Sequence, residues 1–310
     1  MEIIFLGTPE FAVPSLKALA GAGHKIQGVF TQPDRPKGRG NQLAASPVKE
    51  AASELGFRVL QPERIRRPEQ VAALVELKPE LMVVVGYGQI IPQAIIDIPA
   101  HGILNVHASL LPKYRGAAPI QWAIANGETE TGVTIMRIDA GLDTGAMLAQ
   151  NSLTIDPEET APELSKRLAE AGAQLLLKSI KRIENGAAVY TPQDNTRATY
   201  APVLKKEDGR IDWSLPASVI HNRLRGFTPW PGAYTTFRSQ TLRIYDAYPL
   251  VRQSSDEPGT LESEKRTLRV ICGHNSALEL KEIQLEGKKR VGVDAFLNGH
   301  NMERGERLGG

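Results

Sequence analysis

Along the first 155 residues, short apolar runs rich in β-branched side chains alternate with segments whose apolar positions recur every three or four residues. Glu2 to Leu6, Lys25 to Thr31, Phe57 to Leu60, Leu81 to Val85 and Gly102 to Val106 have the pattern of strands. Glu10 to Ala20, Pro47 to Leu55 and Pro68 to Leu77 have the pattern of helices between them. This alternation predicts a largely parallel sheet covered on both faces, whose ligands would sit at the carboxyl ends of the strands.

Two further strand-like runs, Gly132 to Asp139 and Met147 to Ile155, precede a long amphipathic stripe. Ala161, Leu164, Leu168, Ala171, Leu175, Leu176, Ile180 and Ile183 step by one helical turn and stop at Asn185-Gly186, which predicts one helix with a core-facing side. Residues 187–209 are polar and irregular, with Pro192, Pro202 and the charged Lys205-Lys206-Glu207-Asp208, and read as a linker. Beyond them, a helix over Ala217 to Arg225 leads into short strands at Ala233 to Phe237, Leu242 to Ala247, Leu268 to Cys272 and Leu278 to Gln284. The expected fold is therefore α/β: a Rossmann-like, mostly parallel sheet domain over 1–186, a linker over 187–209, and a smaller OB-like β-barrel over 210–310.

Composition narrows the class. With 310 residues, 41% of them apolar, the chain can bury a sizeable core. Its single cysteine, Cys272, rules out an internal disulfide and a four-cysteine metal site, and a reducing, cytoplasmic setting fits. No apolar stretch is long enough to cross a bilayer, and no basic segment precedes the first apolar run, which reads as a buried strand. Residues 1–204 carry 20 Lys and Arg against 21 Asp and Glu, or −1; residues 205–310 carry 17 against 14, or +3, summing to the net +2. A mildly basic C-terminal part permits contact with a polyanion without requiring it.

Candidate chemistry concentrates in GILNVHASLLPKYRGAAP, residues 102–119. Asn105 and His107, two residues apart on a strand, leave the same face and can both donate hydrogen bonds to one developing oxyanion. No nucleophile-elbow pattern surrounds Ser109, so a substrate amine is the expected nucleophile. Asp143, in the glycine-flanked Ala140-Gly141-Leu142-Asp143-Thr144-Gly145, is the candidate carboxylate that would favour an imidazolium at His107. On residue chemistry alone, two plainer readings stay open: a structural Asn-His hydrogen-bonding pair, and an aspartate that only makes a turn.

Asn105-Val106-His107, followed by Ser109-Leu110-Leu111-Pro112 and later by Leu142-Asp143-Thr144-Gly145, resembles the signature of the 10-formyltetrahydrofolate-dependent formyltransferases. Three further segments resemble the branch of that family that formylates methionyl-initiator-tRNA: Phe5 to Ala12, Phe30 to Gly40, and Phe227 to Ala233. The resemblance implies formyl transfer from 10-formyltetrahydrofolate to the α-amine of methionyl-tRNA. Asn105 and protonated His107 would stabilise the oxyanion, Asp143 would hold His107 charged and help remove the amine proton, and no metal would be needed. It implies that Ser109, Leu110, Leu111 and Pro112 contact the folate, with the Leu111–Pro112 bond a candidate for the cis form. Backbone near Val85 to Gly88 and Ile138 to Leu142 would line the pterin.

The segment Pro33 to Gln42 carries three basic residues among breakers and, by itself, reads as a solvated loop. By resemblance it enters the initiator tRNA acceptor stem, with Arg39 the foremost contact beside Lys37 and Arg35. The C-terminal barrel would also bind tRNA, with Lys288-Lys289-Arg290 either part of that face or a solvated turn. No protein partner is implied, and a monomer is expected. A formyltransferase acting on a nucleotide-linked amino sugar shares much of the signature; the long basic loop and the complete C-terminal part favour tRNA. Gly7-Thr8-Pro9 lacks a dinucleotide-binding fingerprint. Arg115 suits an anion clamp or a salt bridge supporting the loop, Trp230-Pro231-Gly232 a turn into the second domain, Trp122 and Trp213 packing, and His221, His274 and His300 follow no metal-ligand pattern.

Overall fold

The computed structural model describes residues 1–37 and 42–309. The chain divides into two compact units. The first comprises Met1–Pro119, Glu130–Thr154 and Leu164–Ala201; the second comprises Ile120–Thr129, Ile155–Glu163 and Pro202–Gly310.

In the first unit, β1 (Glu2–Gly7), α1 (Val13–Gly21), β2 (Lys25–Phe30), α2 (Pro47–Glu54), β3 (Val59–Leu60), α3 (Pro68–Leu77), β4 (Leu81–Val85) and β5 (Ile103–His107) follow the expected alternation. The segment expected as one helix from Glu10 starts with a 3-10 turn, Glu10–Ala12, before α1. Two more strands, β6 (Glu130–Arg137) and β7 (Met147–Thr154), complete a seven-stranded sheet of order β7-β6-β5-β4-β1-β2-β3. Pairings from β3 to β5 are parallel, while β6 runs antiparallel to β5 and to β7. The continuous apolar character of β1 and β4 follows from burial on both faces: Ile3 to Leu6 and Leu81 to Val85 are all buried.

The long stripe forms α4 (Ala161–Glu184). Leu164, Leu168, Leu176, Ile180 and Ile183 are buried as expected, but Gly172 and Ala173 are buried where Ala171 and Leu175 are only partly covered. A close approach explains the glycine: a Cβ at Gly172 would lie 2.9 Å from the Val106 side chain on β5.

In the second unit, α5 (Ala217–Gly226) precedes β8 (Ala233–Phe237), β9 (Gln240–Val251), β10 (Leu261–Glu264), β11 (Thr267–Cys272), β12 (Ser276–Leu285), β13 (Val291–Gly292) and α6 (Val293–Gly299). The antiparallel sheet has order β8-β9-β12-β11-β10, with β13 on β12, an arrangement consistent with a small barrel. Register shifts around Asp246 bend β9 against β12, which is how long strands curl round a small core. That core includes Trp213, Phe237, Leu242, Val270, Cys272, Leu278 and Phe296. Among the described residues, no helix is long and apolar enough to cross a membrane.

Candidate active site

The site is built at the carboxyl end of β5. Asn105 lies in register with Val84 on β4 and Met136 on β6, so the alternation of the pleat places Asn105 and His107 on one face. Both side chains reach the same carboxylate. Asn105 Nδ2 lies 3.4 Å from Asp143 Oδ1, and His107 Nδ1 lies 3.7 Å from Asp143 Oδ2. His107 is 5% exposed, and its Nε2 lies 2.9 Å from the Tyr114 carbonyl oxygen. Both imidazole nitrogens therefore face acceptors, and only the doubly protonated ring can present a hydrogen to each. With Nε2–H held by Tyr114, Nδ1 is the nitrogen that points towards Asp143. At 3.7 Å, the two atoms are farther apart than a hydrogen bond allows.

Asp143 adopts a left-handed backbone, φ 52°, a conformation that aspartate tolerates better than most residues. The turn around it is fixed from several sides. Asp139 Oδ1 accepts from the Gly141 amide at 3.0 Å and from the Thr144 hydroxyl at 2.7 Å. Asp143 Oδ2 accepts from the Gly116 amide at 2.9 Å. Gly145 is required by a close approach: a Cβ there would fall 1.8 Å from the Arg137 carbonyl oxygen.

The turn Ser109 to Pro112 follows directly on β5, and its Leu111–Pro112 bond is cis. Ser109 is fully buried, and its hydroxyl donates to the Lys113 carbonyl at 2.6 Å, so this side chain ties the turn together. Leu111 is buried, while Leu110 and Pro112 are partly exposed. Three residues the sequence did not single out hold this region: Thr134 on β6, Gln150 on β7, and Thr199. Gln150 Nε2 donates to the Leu111 carbonyl and to Thr134 Oγ1, each at 2.9 Å, and Thr199 Oγ1 accepts from the Tyr114 amide at 2.9 Å. Strand register signals Thr134, because β6 places it beside His107.

Arg115 is neither an exposed clamp nor half of the expected salt bridge. It is buried and donates to two neutral amides, Gln193 and Asn195. Both belong to the stretch expected as a linker, where Tyr200–Ala201 also pairs in parallel with Arg115–Gly116.

The segments flanking the basic loop form a two-stranded hairpin, Arg35–Lys37 against Gln42–Ala44, with Lys37 opposite Gln42. Its base is tied down by Asp34, which accepts from Lys49 Nζ at 2.6 Å and Gln61 Nε2 at 2.7 Å; these bonds hold its carboxyl below the usual range. Arg35 is exposed, and Arg39 lies outside the described residues. At the pterin-lining positions expected from resemblance, Gly86 and Gly88 turn the chain with positive φ, and Leu142 stands 60% exposed beside Asp143. Trp213 packs in the second core with its indole donating to Thr235, and Trp122 stacks edge-on against Phe227. Cys272 is a buried strand residue whose thiol is pushed up to about 12 by burial. Among the described residues, no group of three or more His, Cys, Asp or Glu side chains is placed to share a metal ion.

Comparison with known proteins bears on this arrangement. Residues 1–180 match the formyl transferase family, and residues 203–301 match the formyl transferase C-terminal domain. Methionyl-tRNA formyltransferase of Solibacter usitatus is 57% identical over 309 residues, covering 100% of this chain and 99% of that one. The corresponding protein of Koribacter versatilis is 55% identical over 310 residues, with the same coverage. Among solved structures, the fold resembles an N-formyltransferase from Helicobacter canadensis in complex with folinic acid and dTDP-3-aminofucose. That likeness has 20% identity and a TM-score of 0.69, over 90% of this chain and 98% of that one. WlaRD, a sugar 3N-formyl transferase, is similar at 21% identity and a TM-score of 0.69, over 93% and 99%. With full-length identity well above that of the shared fold alone, the chain belongs to the formyl transferase family and, within it, to the methionyl-tRNA formyltransferases.

Proposed function

We propose that this protein transfers the formyl group of 10-formyltetrahydrofolate to the α-amine of methionyl-initiator-tRNA, with Asn105, His107 and Asp143 as its catalytic residues. The observation that carries the assignment of roles is the convergence of Asn105 Nδ2 and His107 Nδ1 on opposite oxygens of one carboxylate.

The amine lone pair attacks the formyl carbon, a C–N bond forms, and the carbonyl electrons move onto oxygen. Asn105 has a second amide hydrogen beyond its long contact with Asp143, and His107 carries Nδ1–H when charged. Both are donors for that oxyanion. Asp143 faces the imidazole and takes the proton that the attacking nitrogen must shed, directly or through water. Collapse of the intermediate breaks the bond to N10, which regains a proton, giving N-formylmethionyl-tRNA and tetrahydrofolate.

The turn Ser109, Leu110, Leu111 and Pro112 serves as a wall for the folate. Its partly exposed members are Leu110 and Pro112, and the exposed Leu142 offers an apolar surface to the pterin. The hairpin bearing Arg35 and Lys37, with Arg39 between its two strands in sequence, is the tRNA-facing element, together with the mildly basic C-terminal stretch 210–310. Arginine suits this task because its planar fork matches phosphate and base edges. A translation enzyme of this kind acts in the cytoplasm.

The test supplies 10-formyltetrahydrofolate with either methionyl-initiator-tRNA or a dTDP-linked amino sugar and follows formyl transfer to each. Transfer to the tRNA alone is expected; transfer to the sugar alone would replace this reading with the amino-sugar one.

A further inference from the structure

Gln193 lies in a polar, proline-flanked stretch, yet every polar position of its side chain is occupied. Nε2 donates to the carbonyl oxygens of Asp143 and Gly145, each at 2.8 Å. Oε1 accepts twice from Arg115, from Nε at 3.1 Å and from Nη2 at 2.7 Å. Arg115 is 3% exposed, gives Nη2 also to Asn195 Oδ1 at 2.7 Å, and precedes Gly116, whose amide donates to Asp143 Oδ2 at 2.9 Å. One amide thus grips the backbone at Asp143 and two residues beyond, while the neighbouring strand segment holds the carboxylate itself.

The arrangement has a built-in polarity. A guanidinium only donates, so it accepts no orientation of Gln193 but the one that turns Oε1 towards it, which leaves both Nε2 hydrogens for the loop carbonyls. Two backbone carbonyls, for their part, can only accept. A side chain with the same shape and no N–H could satisfy Arg115 and could not hold the loop.

We infer that Gln193, oriented by the buried Arg115, is a positioning residue that sets the left-handed turn at Asp143 and so aims its carboxylate at Asn105 and His107. This rests on the reading of Asp143 as the group that faces His107 and takes the amine proton. A catalytic group displaced by about an ångström can lose on the order of a hundredfold in rate. The effect should therefore appear in kcat, since neither Gln193 nor Arg115 is assigned to either substrate.

The experiment compares Gln193→Glu and Asp143→Asn in the full-length protein. Formylation of methionyl-tRNA, binding of 5-formyltetrahydrofolate and thermal unfolding are measured on each. Gln193→Glu keeps an acceptor for Arg115 and removes both donors to the loop. It is expected to lower kcat about tenfold to a hundredfold, with both KM values and folate affinity near those of the wild type and Tm lowered, because two loop carbonyls lose their donor. Wild-type kcat in Gln193→Glu alongside a strong loss in Asp143→Asn would overturn the inference and leave the role of Asp143 standing. So would a fall in kcat, folate affinity and Tm together, which marks general damage. Wild-type kcat in Asp143→Asn would instead remove the reading on which the inference rests. If Gln193→Glu does not fold, the double variant Arg115→Met/Gln193→Met, which buries no unpaired charge, is scored by the same measurements and the same outcomes.

Discussion

The hydroxyl of Thr134 donates to the Ser109 carbonyl at 2.7 Å, tying the middle of β6 to the turn that leaves β5. The same oxygen accepts from the Leu111 amide at 3.1 Å and from Gln150 at 2.9 Å, and Thr134 is fully buried. Thr134→Val keeps the shape and strands these partners. A buried group left unsatisfied costs about 1–3 kcal/mol, so urea unfolding should show a loss of that order. Because the turn is the proposed folate wall, the Kd for 5-formyltetrahydrofolate should rise as well. Unchanged folate affinity in a destabilised Thr134→Val protein would separate the turn from folate binding.

Asn105 makes a long contact with Asp143, so its removal should be felt in chemistry far more than in folding. Loss of one oxyanion donor typically costs about a hundredfold to a thousandfold in kcat. Asn105→Ala is expected to fall in that range with Tm little changed. A variant within a few-fold of wild type would take Asn105 out of the mechanism.

Tyr87 is 1% exposed, packs among Leu6, Phe30, Met82 and Ile103, and has a hydroxyl with no hydrogen-bond partner among the described residues. Burial pushes its phenol well above the usual range. Its backbone carbonyl is the part engaged by neighbours, accepting from Thr8 and Gln32. Tyr87→Phe removes the unsatisfied oxygen and leaves the ring, so stability should rise by about 1 kcal/mol. A lower Tm would show that the hydroxyl has a use in the folded state.

His221 on α5 is buried, stacks on Tyr248, and lies 3.6 Å from Glu158. Burial, assisted by Arg225, outweighs the pull of Glu158 and Asp246 and holds its imidazole below the ordinary value. The unfolded chain then binds the proton more readily than the folded one. The resulting stability is complete above the ordinary histidine value of about 6.5 and is lost as pH falls below it. Tm measured from pH 7.5 to 5 should decline less steeply for His221→Gln than for wild type; parallel curves would assign the acid sensitivity elsewhere.

The shared face of Asn105 and His107 was legible because a strand has a strict two-residue period: Asn105-Val106-His107 leaves no choice about which side chains share a face. The carboxylate was legible as a type of residue in a glycine-flanked turn, since such turns bring backbone close to ligands. Elements with short or weak patterns were not legible. Leu261–Glu264 carries one apolar residue and pairs as a strand only because β11 lies beside it, and Val293–Gly299 is a seven-residue helix buried mainly through Val293 and Phe296. Gln193 was invisible for a different reason. A lone glutamine among prolines and polar residues has the composition of a linker, and its role arises from Arg115 and Asp143, 78 and 50 residues away.

The discontinuity of the two units bears on how such enzymes can be recombined. The chain passes between units after Pro119, Thr129, Thr154, Glu163 and Ala201. A chimera joined only near residue 202 would carry a C-terminal sheet from one parent and the segments 120–129 and 155–163 from the other. Arg225, which donates to the carbonyls of Asp156 and Glu159, would then meet a foreign backbone. Transplanting the second unit intact requires exchanging three stretches of sequence together, so residues 120–129, 155–163 and 202–310 are expected to evolve as one set and not as separable cassettes.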